Sequence, residues 1–146
     1  MKSITTVESL GHRFRELVAK LDVEPDYKTF RTTPQHDGSP HIEKEGDDFC
    51  FVVTERGSEF KRVRTTDPEQ ILYMLLDGVT LRVATTYELK NRVEGTDGRE
   101  VWFPYQEQLL RELKPEWGER KREEHDKILK THPLNGSRTK PCTPTK

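Results

Sequence analysis

Residues 41–66 read HIEKEGDDFCFVVTERGSEFKRVRTT. Three short runs, HIEKE, DFCFVVTE and EFKRVR, are separated by EGDD and RGS, two stretches suited to tight reversal. The pattern predicts an antiparallel meander of three strands. Its middle strand sets Phe49, Phe51 and Val53 on one face and Cys50 and Val52 on the other, as expected when a strand lies centrally and both faces are covered. The two outer strands are half polar, as edges often are.

On the N-terminal side, DVEPDYKTFRTTPQHDGSP is rich in Pro, Asp and Thr without a helical period and reads as extended chain and turns. Its aromatics Tyr27 and Phe30 are expected to dock on the core. Before it, Val7, Leu10, Phe14, Leu17, Val18 and Leu21 form a helical stripe, with Thr5 or Thr6 as cap and Glu8 in the first turn. On the C-terminal side, Asp67-Pro68-Glu69 supplies an N-cap, a proline at the first helical position and an acid in the first turn. The stripe Ile71, Leu72, Leu75, Leu76, Val79 follows. The run VTLRVATTY is β-branched enough for a strand, yet Val79, Val83 and Tyr87 keep helical spacing. Helix is favoured, bent or broken near Asp77-Gly78 and ended by Gly95 and Gly98.

Trp102, Phe103, Gln106, Leu109, Leu110 and Leu113 define the next amphipathic helix, with Pro104 near its first turn, and Lys114-Pro115 ends it and opens another. That last helix keeps only Trp117, Ile128 and Leu129 as apolar residues, so docking by its two ends is expected. The fold class is α+β: an N-terminal helix, a three-stranded antiparallel meander, then three to four C-terminal helices packed on the sheet. One domain over residues 1–133 and a disordered polar tail over 134–146 are expected.

Hydrophobic residues make up 31% of the 146 and charged residues 35%, while the formal net charge is −1. So balanced a charge gives no global field for nucleic acid or an anionic membrane. The first twenty residues lack the apolar run of a signal peptide, and no stretch is apolar for long enough to span a bilayer. A cytoplasmic protein is expected. Cys50 in an apolar run and Cys142 in a polar tail do not suggest a disulfide framework, and Cys50 reads as a buried structural thiol.

No Gly-x-Ser-x-Gly turn, P-loop or Gly-x-Gly-x-x-Gly is present, and no cysteine has a neighbouring histidine. His12, His36, His41, His125 and His132 lack the paired spacing of a zinc site. Neither metal nor cofactor is expected. Lys61, Arg62 and Arg64 make a basic edge strand, read first as protection against edge pairing and second as a contact for phosphate. Glu43, Glu45, Asp47 and Asp48 gather acids at the first hairpin, a solvated turn or a patch for a basic partner.

Further along, residues 87–102, YELKNRVEGTDGREVW, hold seven charges. Glu88 and Arg92 are four apart in the favourable order for a helical ion pair, and Lys90 and Glu94 form a second pair. Asn91 can cap, Asp97 can accept from the amides opening the next helix, and Arg99 can reach Glu88 or the last carbonyls of the preceding helix. A structural network of Glu88, Asn91, Arg92, Asp97 and Arg99 accounts for these charges. An enzyme site built from Glu88, Arg92 and Asp97 would lack a nucleophile or metal to act with.

The order YELKNR, Asp97-x-Arg99, Trp102-Phe103, Q-x-x-LL-x-x-L-x-P-x-W-x-x-R from Gln106, and E-x-x-x-IL-x-x-HP from Glu124 resembles the immunity protein sixty-three family. The likeness runs from Pro40, through ERGSEFKRVRT at residues 55–65, to Pro133. The resemblance implies a small bacterial protein, encoded beside a polymorphic toxin, that acts by binding. On it rests the expectation of a non-enzymatic immunity protein, monomer or weak dimer, that neutralises a cognate toxin domain by blocking its active site or an exosite. Glu43, Glu45, Asp47 and Asp48 are the candidate toxin-binding residues. The alternative is a small regulatory or RNA-associated module using Lys61, Arg62 and Arg64.

Overall fold

A computed structural model describes residues 4–134; the expected tail from 135 onward, with Cys142, lies outside them. The elements follow in the order α1 (Val7–Val18), a short 3-10 turn at Pro25–Lys28, β1 (Asp37–Glu45), β2 (Asp48–Glu55), β3 (Ser58–Thr65), α2 (Pro68–Lys90), α3 (Arg99–Leu113) and α4 (Pro115–Thr131). This is the α+β order expected, with four helices. The chain divides into two compact units, Met1–Gly78 and Val79–Lys146.

In the first unit the strands pair antiparallel in the order β1-β2-β3. Register places Glu43 opposite Cys50 and Cys50 opposite Arg64, and His41 opposite Val52 and Val52 opposite Arg62. Phe49, Cys50, Phe51 and Val52 are all buried, so β2 is covered on both faces. They share the core with Leu10, Phe14, Leu17 and Val18 of α1 and Ile71, Leu72 and Leu76 of α2. Thr6 caps α1 reciprocally: the Ser9 amide donates to its Oγ1 at 3.0 Å, and its own amide donates to Ser9 Oγ at 3.1 Å. Phe30 docks as expected, its ring 5.8 Å from that of Phe14. Gly11 makes room for it, since a Cβ there would lie 2.8 Å from the Phe30 ring. β1 begins four residues before His41, because Asp37 pairs with Glu55 and Pro40 with Val53, with a register shift between them that lets the irregular leader join the sheet.

Helix α2 starts at Pro68, with the Glu69 amide donating to Asp67 Oδ1 at 3.0 Å. It continues to Lys90 without the break that is one of the two expectations at Asp77-Gly78. The β-branched run folds as helix because Thr80, Ala84 and Glu88, four residues apart, form its buried stripe, while Tyr87 is exposed. Gly78 is exposed and open space surrounds the position a Cβ would take. Gly78→Ala is therefore expected to stabilise the protein by about 0.5–1 kcal/mol, read by thermal unfolding.

In the second unit α3 begins at Arg99, three residues before Trp102, so Pro104 is an interior residue rather than one of the first turn. It is exposed, where water can take the Glu100 carbonyl that proline leaves unbonded. Lys114-Pro115 separates α3 from α4 as expected, and the two helices pack together. The buried face of α4 is Trp117, Gly118, Lys121 and His125, while Ile128 is 41% exposed. Docking by Trp117 at the N-terminal end is thus as expected, but it continues through Lys121 and His125 in the middle of the helix and not through Ile128.

Candidate functional site

Two polar constellations and one buried chain stand out. The first is the predicted network after α2. Glu88 is only 5% exposed, and Arg92 meets it with two hydrogen bonds, Nε to Oε2 at 3.0 Å and Nη2 to Oε1 at 2.7 Å. The Arg92 guanidinium holds the Glu88 carboxyl below its ordinary value of 4.5. Gly98 lies over this carboxylate, so close that a Cβ would be 2.8 Å from Glu88 Cδ. Asn91 Nδ2 donates to the Tyr87 carbonyl at 2.9 Å, closing the end of α2. Asp97 accepts from the Arg99 amide at 3.0 Å and from Arg99 Nη2 at 2.7 Å. Arg99 then reaches not Glu88 or the end of α2 but the far end of α4, donating to the carbonyls of His132 at 2.7 Å and Pro133 at 3.0 Å. Lys90 and Glu94 are both exposed.

Every charge at the core of this segment thus meets a partner inside the unit, an arrangement that fixes the loop. A depressed carboxyl contributes stability above its unfolded value and loses it as pH falls through the folded one. Arg92→Ala is therefore expected to lower the melting temperature at pH 7, with the difference from wild type shrinking steadily as pH falls below 4.5.

The second constellation is a cross-strand ladder on the sheet. Register brings the acids of the first hairpin and the arginines of β3 to the same face, although they lie far apart in sequence. Arg62 Nη1 contacts Glu43 Oε1 at 3.1 Å and Glu45 Oε2 at 3.0 Å, and its Nη2 contacts Glu59 Oε1 at 2.9 Å. Arg64 Nη2 contacts Asp48 at 3.1 Å and Glu45 at 3.3 Å. Asp47 sits at the exposed turn. The side chains of the ladder stay partly open to solvent.

Beneath the ladder, buried His41 holds Glu43 through Nε2 at 2.7 Å while its Nδ1 has no partner. The His41 hydrogen bond, then that of Arg62, lowers the Glu43 carboxyl, and Arg62 lowers Glu59. Burial pushes the Cys50 thiol up, as expected of a structural cysteine. The predicted basic edge is not a free row of cations: Arg62 and Arg64 meet carboxylates, and Lys61 lies 5.7 Å over the Phe51 ring. The ladder sets four carboxylates, Glu43, Glu45, Asp48 and Glu59, against two guanidiniums, which leaves it two formal negative charges, and Asp47 adds an acid at the turn beside it.

The buried chain was not read from the sequence. His125 Nδ1 lies 2.7 Å from Glu107 Oε2 and Nε2 lies 3.2 Å from Gln106 Oε1, while Gln106 Nε2 donates to Thr80 Oγ1 at 3.2 Å. It holds helices α2, α3 and α4 together within the second unit. Among the described residues no group of three or more His, Cys, Asp or Glu side chains is placed to hold a metal ion. None of the helices described is long and apolar enough to cross a membrane.

With this geometry in place, comparison with known families is decisive. The family model described as Immunity protein 63 matches residues 45–127, more than half of the chain. The chain belongs to the Immunity protein 63 family. No curated protein and no solved structure matches it. The matched span of this Immunity protein 63 member starts at Glu45, at the first hairpin, and includes β2, β3, α2, α3 and most of α4. Both the ladder arginines and the Glu88–Arg99 network fall inside it.

Proposed function

We propose that the protein neutralises a cognate toxin domain in the cytoplasm by stoichiometric binding, without catalysis, covering the toxin's active site or an adjacent exosite. Family membership supports the immunity role, and the observation that carries the binding mode is the excess of acid on the charge ladder. Arg62 and Arg64 hold Glu43, Glu45, Asp48 and Glu59 in place while leaving two uncompensated charges, with Asp47 a further acid at the turn, so the face is organised before any partner arrives. Such a surface favours a basic partner and repels phosphate, which sets it against the reading of Lys61, Arg62 and Arg64 as a nucleic-acid contact.

The four hairpin acids Glu43, Glu45, Asp47 and Asp48 are the proposed toxin-facing charges. Changing all four to the corresponding amides is expected to slow association with the toxin domain about tenfold at low salt. The difference should vanish near 1 M salt, where the screening length falls to about 3 Å. Because three of the four also hold arginines, Asp47→Asn alone, at the open turn, gives the charge effect free of any change in the ladder. Association rates that ignore both changes at low salt would remove the acidic face from the interface.

The Glu88–Arg99 network is proposed to be structural. Loss of protection in an Asp97→Ala variant that melts like wild type would move it to the interface instead.

A further inference from the structure

The end of the sheet opposite Asp47 is irregular. Strand β3 pairs Lys61 with Val53 but Glu59 with Thr54, so Phe60 is the additional residue of a β-bulge. It is 64% exposed, more than the other exposed large apolar residues described. The backbone around it is held in uncommon conformations: His36 and Arg56, neither of them glycine, have φ of +59° and +53°, which costs about 1 kcal/mol or more apiece. They are locked together, the Arg56 amide donating to the His36 carbonyl at 3.0 Å and the Gly57 amide to His36 Nδ1 at 3.2 Å. The His36 amide in turn donates to Thr54 Oγ1 at 3.3 Å. These bonds tie the β2–β3 turn to the start of β1, and Phe60 lies on the strand that leaves this turn.

A single exposed aromatic is common on any protein and by itself means little. Here it follows directly on Glu59, the carboxylate at which the charge ladder ends through Arg62. From Asp48 to the level of Glu59, which pairs with Thr54, the face runs about 20 Å at the rise of an extended strand, which fits within a patch of roughly 800 Å² on one partner. An exposed aromatic at a bulge beside paired, partly exposed charges has the make-up of an interface hot spot. A second copy would set one acid-rich ladder against another under two-fold pairing, and nucleic acid would set phosphates against it. Charge complementarity selects a basic protein surface.

We propose that Phe60 is the apolar anchor of the toxin-binding face and enters a pocket on the toxin rimmed by lysine or arginine side chains. The proposal rests on the immunity reading and names where on the chain that reading operates. Its test uses the toxin domain encoded by the neighbouring gene, inactivated by mutation and immobilised, against wild type, Phe60→Ala, Phe60→Lys and, as an exposed apolar control on α2, Leu89→Ala. Phe60→Ala is expected to weaken Kd about 30-fold or more, chiefly through faster dissociation. Phe60→Lys sets a cation against the basic rim and should weaken binding further, whereas Leu89→Ala should bind like wild type. Thermal melts run in parallel separate a binding effect from a folding one, and Phe60→Leu, which keeps an apolar side chain at the bulge, should recover part of the affinity. Wild-type binding with Phe60→Ala and Phe60→Lys unimpaired would overturn the anchor while leaving the immunity reading intact. Failure of the wild type to bind would overturn both.

Discussion

His125→Ala is expected to destabilise the protein by about 3 kcal/mol, a fall of about 10 °C in melting temperature. The ring is 3% exposed and stacks on Phe103 with centroids 3.7 Å apart and planes 3° from parallel, while Trp102 meets it edge-on at 5.8 Å. Truncation removes this packing and leaves a cavity between α3 and α4. It also removes the donor at Nδ1 that faces the Glu107 carboxylate and the group at Nε2 that faces the Gln106 amide. The two losses can be told apart, because His125→Phe keeps the stack and gives up the hydrogen bonds. That variant should fall between alanine and wild type. A melting temperature for His125→Ala within a degree or two of wild type would mean that the buried chain does not hold the helices.

Gly118→Val is the second large expected effect, with a loss of about 2–3 kcal/mol in chemical or thermal unfolding. A Cβ at Gly118 would stand 2.7 Å from Arg111 Cβ and 3.0 Å from Arg111 Cα. The Cα belongs to the backbone of α3 and cannot step aside alone, so the two helices must part. Gly118→Ala faces the same clash, offset by about 1 kcal/mol of helix propensity, and should cost less than valine. Gly78, equally helical but open on every side, is expected to respond with the opposite sign. The contrast shows that the close approach, and not glycine as such, sets the outcome.

These two sites lie where the sequence was hardest to read. Strands and helix starts are announced locally: EGDD and RGS between apolar runs, Thr6 before a helical stripe, Asp67-Pro68 and Lys114-Pro115. Each is decided by a few adjacent residues, and each is found in the structure. Helix α4 is different, because after Trp117 and Gly118 its buried positions are filled by Lys121 and His125, which read as solvent-facing in any hydrophobic pattern. The bulge at Phe60 is hidden for a related reason. Strand β3 is exposed almost throughout, so it has no alternation for an inserted residue to interrupt.

The candidate site divides in the same way. The Glu88–Arg92 pair is legible from its four-residue spacing, as are the roles of Asn91 and Asp97 beside it. The reach of Arg99 to His132 and Pro133 spans more than thirty residues and follows only from the packing of α3 on α4. Acids at residues 43–48 and bases at 61–64 look like two opposed patches in sequence. Register makes them one ladder, and how acidic it is depends on Glu59 as well as on the hairpin acids.

The central claim is neutralisation by a stable complex, and co-expression tests it most directly. The toxin domain of the neighbouring gene is expressed in a naive cell with and without this protein, growth is followed, and the pair is purified together. The account predicts rescue of growth together with a one-to-one complex that survives purification. Rescue without any complex would contradict it, pointing to an antidote that acts catalytically or by regulation, and failure to rescue would contradict the immunity role for this pairing.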